Sequence, residues 1–150
     1  MLIKYMVAVV LSLGLVSVAM AASTSSTSTQ PKASNFERGV KAVESAKYKK
    51  ASKLFSKVVA AEPDNADAWN YLGFSSRNLK KFDQALSAYQ KALAIDPEHR
   101  GANEYLGELY LQTGDLARAK ERLVKLDDIC PSGCEELDDL KSAIVAYESQ

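Results

Sequence analysis

Pro63, Pro97 and Pro131 stand 34 residues apart. Three further series keep that spacing: Gly39, Gly73 and Gly107; Ala51, Ala85 and Ala119; and the bulky apolar set Phe55, Tyr89 and Leu123. Independent series sharing one period mark a repeat architecture. A unit of this length cannot bury its apolar face alone, so successive copies must stack into a continuous core.

Each copy reads as two helices. In the middle copy, Asn65 or Asp67 caps a first helix carrying Trp69, Leu72, Phe74 and Ser76. Asn78-Leu79-Lys80-Lys81 breaks the pattern. A second helix carries Phe82, Ala85, Leu86, Tyr89, Ala92, Leu93 and Ile95 and stops at Asp96-Pro97. Proline lacks the amide hydrogen and clashes with the preceding turn. Offsets of three and four residues put the large side chains on one stripe. Gly73 and Ala85 are small where the two helices should cross closest.

The run Trp69-x-x-Leu72-Gly73, Phe82-x-x-Ala85, Tyr89-x-x-Ala92, Pro97 resembles the tetratricopeptide repeat. The third copy supplies Leu106, Gly107, Tyr110, Gly114-Asp115, Ala119, Leu126 and Pro131, with Asn103 where the family prefers Trp. The first keeps Gly39, Tyr48, Ala51, Phe55 and Pro63. It departs at Asn35 and Arg38, where the family prefers large apolar residues, so its first helix should start late or pack loosely.

The resemblance implies an all-α fold. Three helix-turn-helix repeats, about 32–65, 66–99 and 100–133, would occupy residues 35–133 of a right-handed α-solenoid. A capping helix over 134–150 would close it. Leu137, Leu140 and Ile144 continue the first-helix spacing there, and Lys141 takes the small-residue position. Glu135, Asp138 and Asp139 should face solvent near the helix start, where their charge suits the dipole.

The same resemblance implies a peptide-holding concave groove lined by first helices. The matching positions are Phe36, Val40 and Val43; Asn70, Tyr71, Phe74, Arg77 and Asn78; and Glu104, Tyr105, Glu108, Leu111 and Gln112. Aromatic side chains beside Arg and Asn suit a protein-binding hot spot. The competing role for Phe36, Phe74 and Leu111 is packing between neighbouring first helices. One subclass of the family grips acidic chaperone tails through Lys, Arg and Asn. Val40, Tyr71, Gly101 and Tyr105 stand at the matching positions here. That departure argues against a carboxylate clamp and for a mixed apolar and polar peptide or a folded partner.

Cys130 and Cys134 lie at the joint between the third repeat and the cap. Three states are open to them. In an oxidising compartment they would pair and staple the cap to the repeats. In a reducing one they would be free buried thiols. A redox or metal role is the third, although the spacing is one longer than Cys-x-x-Cys and further ligands are lacking. The joint also resembles exported bacterial tetratricopeptide-repeat proteins that end in Cys-x-x-x-Cys and a helix.

The N-terminal segment reads as a secretory signal peptide over residues 1–21. Lys4 precedes a stretch from Tyr5 to Val18 without charge, and Ala19-Met20-Ala21 offers small residues at the cleavage site. Retention as a membrane anchor is the alternative. Cleavage after Ala21 would place the protein in an exported compartment, most simply a periplasm. Residues 22–34 are rich in Ser and Thr and read as a flexible tether, with order beginning near Ser34 or Asn35.

The 150 residues carry no net charge, which argues against a nucleic-acid partner. Neutrality is an average: the three copies carry +4, 0 and −1, and the tail from Cys134 carries −4. The single histidine, His99, should be a surface loop residue. There is no Gly-rich phosphate loop, no G-x-S-x-G and no H-E-x-x-H. The expectation is therefore a non-enzymatic adaptor or scaffold with no catalytic residue, cofactor or metal, and no membrane contact after signal cleavage. It would bind a protein or peptide and could form a homo-oligomer. The rivals are a regulatory or assembly subunit of an envelope enzyme complex and a self-associating scaffold.

Overall fold

The computed structural model describes residues 33–150. The expected signal peptide, and the expected tether up to Lys32, lie outside the described residues. Seven helices follow in order: α1 (Asn35–Glu44), α2 (Tyr48–Ala61), α3 (Ala66–Asn78), α4 (Phe82–Ile95), α5 (Arg100–Gln112), α6 (Leu116–Ile129) and α7 (Glu135–Glu148). Among the described residues no strand occurs, and no helix is long and apolar enough to cross a membrane.

The period is visible in the helix ends. α2, α4 and α6 start and stop at equivalent positions, and so do α3 and α5. Carried back from Ala66, the period lands on Lys32, yet α1 begins at Asn35. Its start is set by a capping box: Ser34 Oγ accepts from the Glu37 amide at 3.1 Å, and the Glu37 carboxylate accepts from the Ser34 amide at 2.7 Å. This is the late start expected from Asn35 and Arg38.

The helices pair as α1 with α2, α3 with α4 and α5 with α6, and α2 and α4 each lean on the next first helix. The result is a solenoid of helical repeats. α7 packs on both α5 and α6. One apolar cluster joins α1, α2 and the start of α3; a second joins α4 through α7.

Glycine sets the closest contacts within pairs. A Cβ on Gly39 would lie 2.7 Å from the Phe55 ring, and one on Gly73 would lie 2.6 Å from the Tyr89 ring. Both rings are fully buried. The third repeat breaks the expected series. Over Gly107 the space is filled by Leu140 of α7, 2.6 Å from a notional Cβ, and not by Leu123. Leu123 is shorter than a ring and only half-buried. The capping helix thus supplies an interior side chain that the repeat itself lacks.

The turns inside the pairs recur too. Ala46, Lys80 and Gly114 all take positive φ, at 53°, 60° and 81°. The loops between pairs are held by a second device. Trp69 Nε1 donates to the Pro63 carbonyl at 2.8 Å. One period on, Asn103 Nδ2 donates to the Pro97 carbonyl at 3.2 Å and to the His99 carbonyl at 3.1 Å.

His99 is not the surface residue expected. Its Nδ1 caps α5 by accepting from the Ala102 amide at 3.1 Å, and its Nε2 lies 3.1 Å from Asp67 Oδ1 on α3. The ring lies mostly buried in the loop between copies because it replaces an ordinary N-cap. Cys130 and Cys134 form a disulfide that joins the end of α6 to the start of α7, with Gly133 turning the chain at φ 90°.

Candidate functional site

The first helices α3 and α5 present one continuous face, and α7 extends it. The expected groove residues, on α1 as well as on α3 and α5, fall mostly into two groups.

The first group is packing. The Tyr71 ring stacks on Phe55 with centroids 5.0 Å apart and planes 6° from parallel, and Phe36 meets both rings edge-on at 5.6 and 5.8 Å. Phe74 lies between Tyr48 at 6.0 Å and Tyr105 at 4.9 Å. Val40 and Val43 pack against the α1–α3 cluster, and Leu111 is buried in the second. Such aromatic pairs contribute roughly 0.5–1.5 kcal/mol each beyond their burial. Packing thus accounts for Phe36, Phe74 and Leu111, and largely for Tyr71 as well. Asn78 is exposed and turned back on its own helix, donating to the Phe74 carbonyl at 2.9 Å.

The second group carries charge. Arg77 reaches across from α3 to α5 and pairs with Glu108 at 2.6 Å. Its guanidinium carbon lies 5.5 Å from the ring centres of both Phe74 and Tyr105. Only 10% of this side chain is exposed, and its Nε has no partner, nor does the buried hydroxyl of Tyr89. Burial pushes the Tyr89 phenol well up from its ordinary value, against the pull of Arg77.

Glu104 is 6% exposed. Burial, then repulsion from Glu108, Asp139 and Glu136, pushes its carboxyl up to about 8, while Arg77 pulls it down. Burial, then Glu104 and Glu108, push Tyr105 up to about 12, while Arg77 pulls it down.

Two recesses open on this face. The larger, about 460 Å³, is bounded by Arg77, Glu108, Leu111 and Gln112 and by Ala143, Ala146, Tyr147 and Gln150 of α7. The smaller, about 200 Å³, lies between Asn70 and Tyr71, Gly101, Glu104 and Tyr105, and the α7 residues Glu135, Glu136 and Asp139. Sequence reasoning missed the α7 wall by treating that helix as a cap alone. The signal was present: one more period from Tyr105 and Gln112 lands on Asp139 and Ala146. At the positions a carboxylate clamp would use, Val40, Tyr71, Gly101 and Tyr105 supply no cation.

Stacked helix pairs with a lined first-helix face define a helical-repeat protein. Tetratricopeptide-repeat models match residues 54–87 and 78–144. The chain belongs to the tetratricopeptide-repeat family. No match is found among curated proteins. Among solved structures it is similar to the first such domain of Spaghetti (RPAP3) bound to the HSP90 peptide SRMEEVD. The identity is 24%, the TM-score is 0.67, and the match covers 76% of this chain and 90% of that one. It is also similar to the type III secretion translocator chaperone SycD of Yersinia enterocolitica, at 20% identity and TM-score 0.69, covering 77% and 81%. A third is PcrH in complex with the chaperone binding region of PopD, at 20% and 0.66, covering 77% and 86%. At these identities the likeness is one of fold.

Proposed function

We propose that this protein is a non-enzymatic interaction module that holds a segment of a partner protein along the α3–α5–α7 face. The observation that carries this reading is the pair of recesses at Arg77–Tyr147 and Asn70–Asp139, open on a face whose aromatic floor is already fixed by packing. A preorganised floor lowers the ordering cost of binding. The solved relatives support the mode: the Spaghetti domain is seen with an HSP90 peptide, the second RPAP3 domain with an HSP70 peptide and PcrH with a region of PopD. The lack of cations at the clamp positions separates this chain from acidic-tail readers.

The module works outside the cytoplasm in this reading, most simply in a periplasm. The apolar N-terminal segment with its Ala19-Met20-Ala21 site supports export, and the Cys130–Cys134 pairing fits an oxidising compartment.

Truncating Tyr71, Phe74 and Arg77 would disturb the floor, so the test adds bulk instead. Gln112 and Ala146 are exposed and border the larger recess. Gln112→Trp with Ala146→Trp should abolish capture of a groove-selected peptide while leaving helicity and melting unchanged. Undiminished capture refutes the groove.

A further inference from the structure

We propose that the smaller recess is an anchor for one organic cation, the ammonium or guanidinium of a Lys or Arg side chain on the partner segment. This rests on the groove reading and names the partner's chemistry.

The recess sits where three helices meet. Asn70 enters from α3, Glu104 from α5, and Glu135, Glu136 and Asp139 from α7. Glu104 and Asn70 are each 6% exposed and form its interior. Asn70 Oδ1 is fully withdrawn from water and has no donor. That oxygen is sealed from the recess, so the unpaired group that a ligand can reach is the Glu104 carboxylate. Gly101 keeps this space open: a Cβ there would lie 3.2 Å from Asn70 Nδ2.

The charges already nearby are spoken for. Arg77 is held by Glu108 at 2.6 Å, and Arg100 reaches only Glu136, at 3.7 Å. Among the described residues no hydrogen bond or ion pair reaches the Glu104 carboxylate. The excess is therefore negative, with Tyr71 and Tyr105 beside it as aromatic walls. Among the described residues no three His, Cys, Asp or Glu side chains could share a metal ion. The carboxylates instead surround a space of about 200 Å³, well below the few hundred Å³ of a typical small-molecule site and scaled to a single side chain.

Protonation follows from the same geometry. Facing Glu104 are Arg77 and Tyr71 on α3, Tyr105 and Glu108 on α5, and Glu135, Glu136 and Asp139 on α7. Burial and the acidic majority keep Glu104 protonated at neutral pH in the empty site. An entering cation stabilises its carboxylate, so the proton leaves as the cation binds. The bound cation gains Glu104 and Asp139 together.

The test uses n-butylammonium and methylguanidinium as probes of the Lys and Arg side chains, titrated into the full chain at constant ionic strength and followed by NMR. The expected result is saturable shifts at Asn70, Gly101 and Tyr105, with the Glu104 carboxyl titration moved to lower pH. Glu104→Gln with Asp139→Asn should weaken binding by roughly tenfold or more, the scale of a lost charge-assisted hydrogen bond. Shifts spread over exposed acids such as Asp127 and Asp128, or unchanged in that variant, overturn the anchor and leave the groove reading intact. A second arm selects random peptides on the same chain. Groove-bound peptides should carry Lys or Arg at one fixed position, and its replacement by Gln should weaken only the wild-type complex. Groove-bound peptides without a basic residue overturn the proposal. Peptides bound away from the α3–α5–α7 face overturn the groove reading itself.

Discussion

Asn103 holds the loop before its own helix by donating to the Pro97 carbonyl, the bond that Trp69 makes to Pro63 one period earlier. A fully buried amide thus does the work of a half-exposed indole. Both side chains supply a donor to the equivalent loop carbonyl. Arg122 adds a further bond, its Nη1 donating to Asn103 Oδ1 at 3.3 Å. Asn103→Leu keeps the volume, leaves the Pro97 carbonyl short of a donor and takes the acceptor from Arg122, while the His99 carbonyl keeps the backbone amide of residue 103. It should cost about 1–3 kcal/mol in urea unfolding. An unchanged midpoint would mean that the Pro97 carbonyl does not depend on Asn103.

The cap should be part of the interior of the third repeat. Leu140 is fully buried over Gly107, whereas Leu123 is half-buried. Leu140→Ala should cost about 2–5 kcal/mol and Leu123→Ala clearly less. Gly107→Ala should be less harmful in the Leu140→Ala background than alone, because the side chain that a new Cβ would strike has been shortened. Additive effects across that double-mutant cycle would show that the two residues do not share this space.

The positive-φ turns give a prediction with opposite signs at equivalent sites. A side chain in the left-handed region costs on the order of 1 kcal/mol, part of which glycine forfeits through unfolded-chain entropy. Lys80→Gly and Ala46→Gly should each stabilise by about 0.5–1 kcal/mol, and Gly114→Ala should destabilise by a similar amount. Thermal unfolding of the three variants checks this; loss of stability at both Ala46 and Lys80 would contradict it.

Glu104 should make the fold sensitive to pH. Its folded value, about 8, lies above the ordinary 4.5. The folded chain then keeps a proton that the unfolded chain has released. The stability this confers is complete below about 4.5, declines as pH rises through that interval, and is lost above about 8. Glu104→Gln removes the decline, so the variant should match wild type near pH 4.5 and exceed it by a few kcal/mol near pH 9. Parallel melting curves of the two proteins across that range would remove Glu104 as the cause.

The fold was legible because most helix boundaries follow local signals, many of them repeated at one spacing. Pro63 and Pro97 stop helices, Ser34 with Glu37 starts one, and glycine admits the rings of Phe55 and Tyr89. What was not legible depended on contacts between elements distant in the chain. Leu137, Leu140 and Ile144 announce a capping helix, but that Leu140 takes the space over Gly107 in place of Leu123 depends on how closely α7 packs on α5. His99 was misread because histidine is not among the usual N-cap residues and its Nε2 partner, Asp67, comes from the neighbouring pair. Sequence assigned the candidate groove residues to first helices, but it could not separate Tyr71, stacked on Phe55, from Gln112, exposed at the edge. Nor could it show that Glu104 is buried, since a glutamate on a first helix ordinarily faces water.

The central claim is that a partner segment lies on the α3–α5–α7 face. A photo-cross-linking residue at Gln112, compared with one at Val124 (62% exposed, beside Leu137 and Lys141), addresses it most directly. With a peptide selected on the full chain, the prediction is strong cross-linking from position 112, suppressed by excess unlabelled peptide, and none from position 124. Cross-linking from 124 with silence at 112 would contradict it.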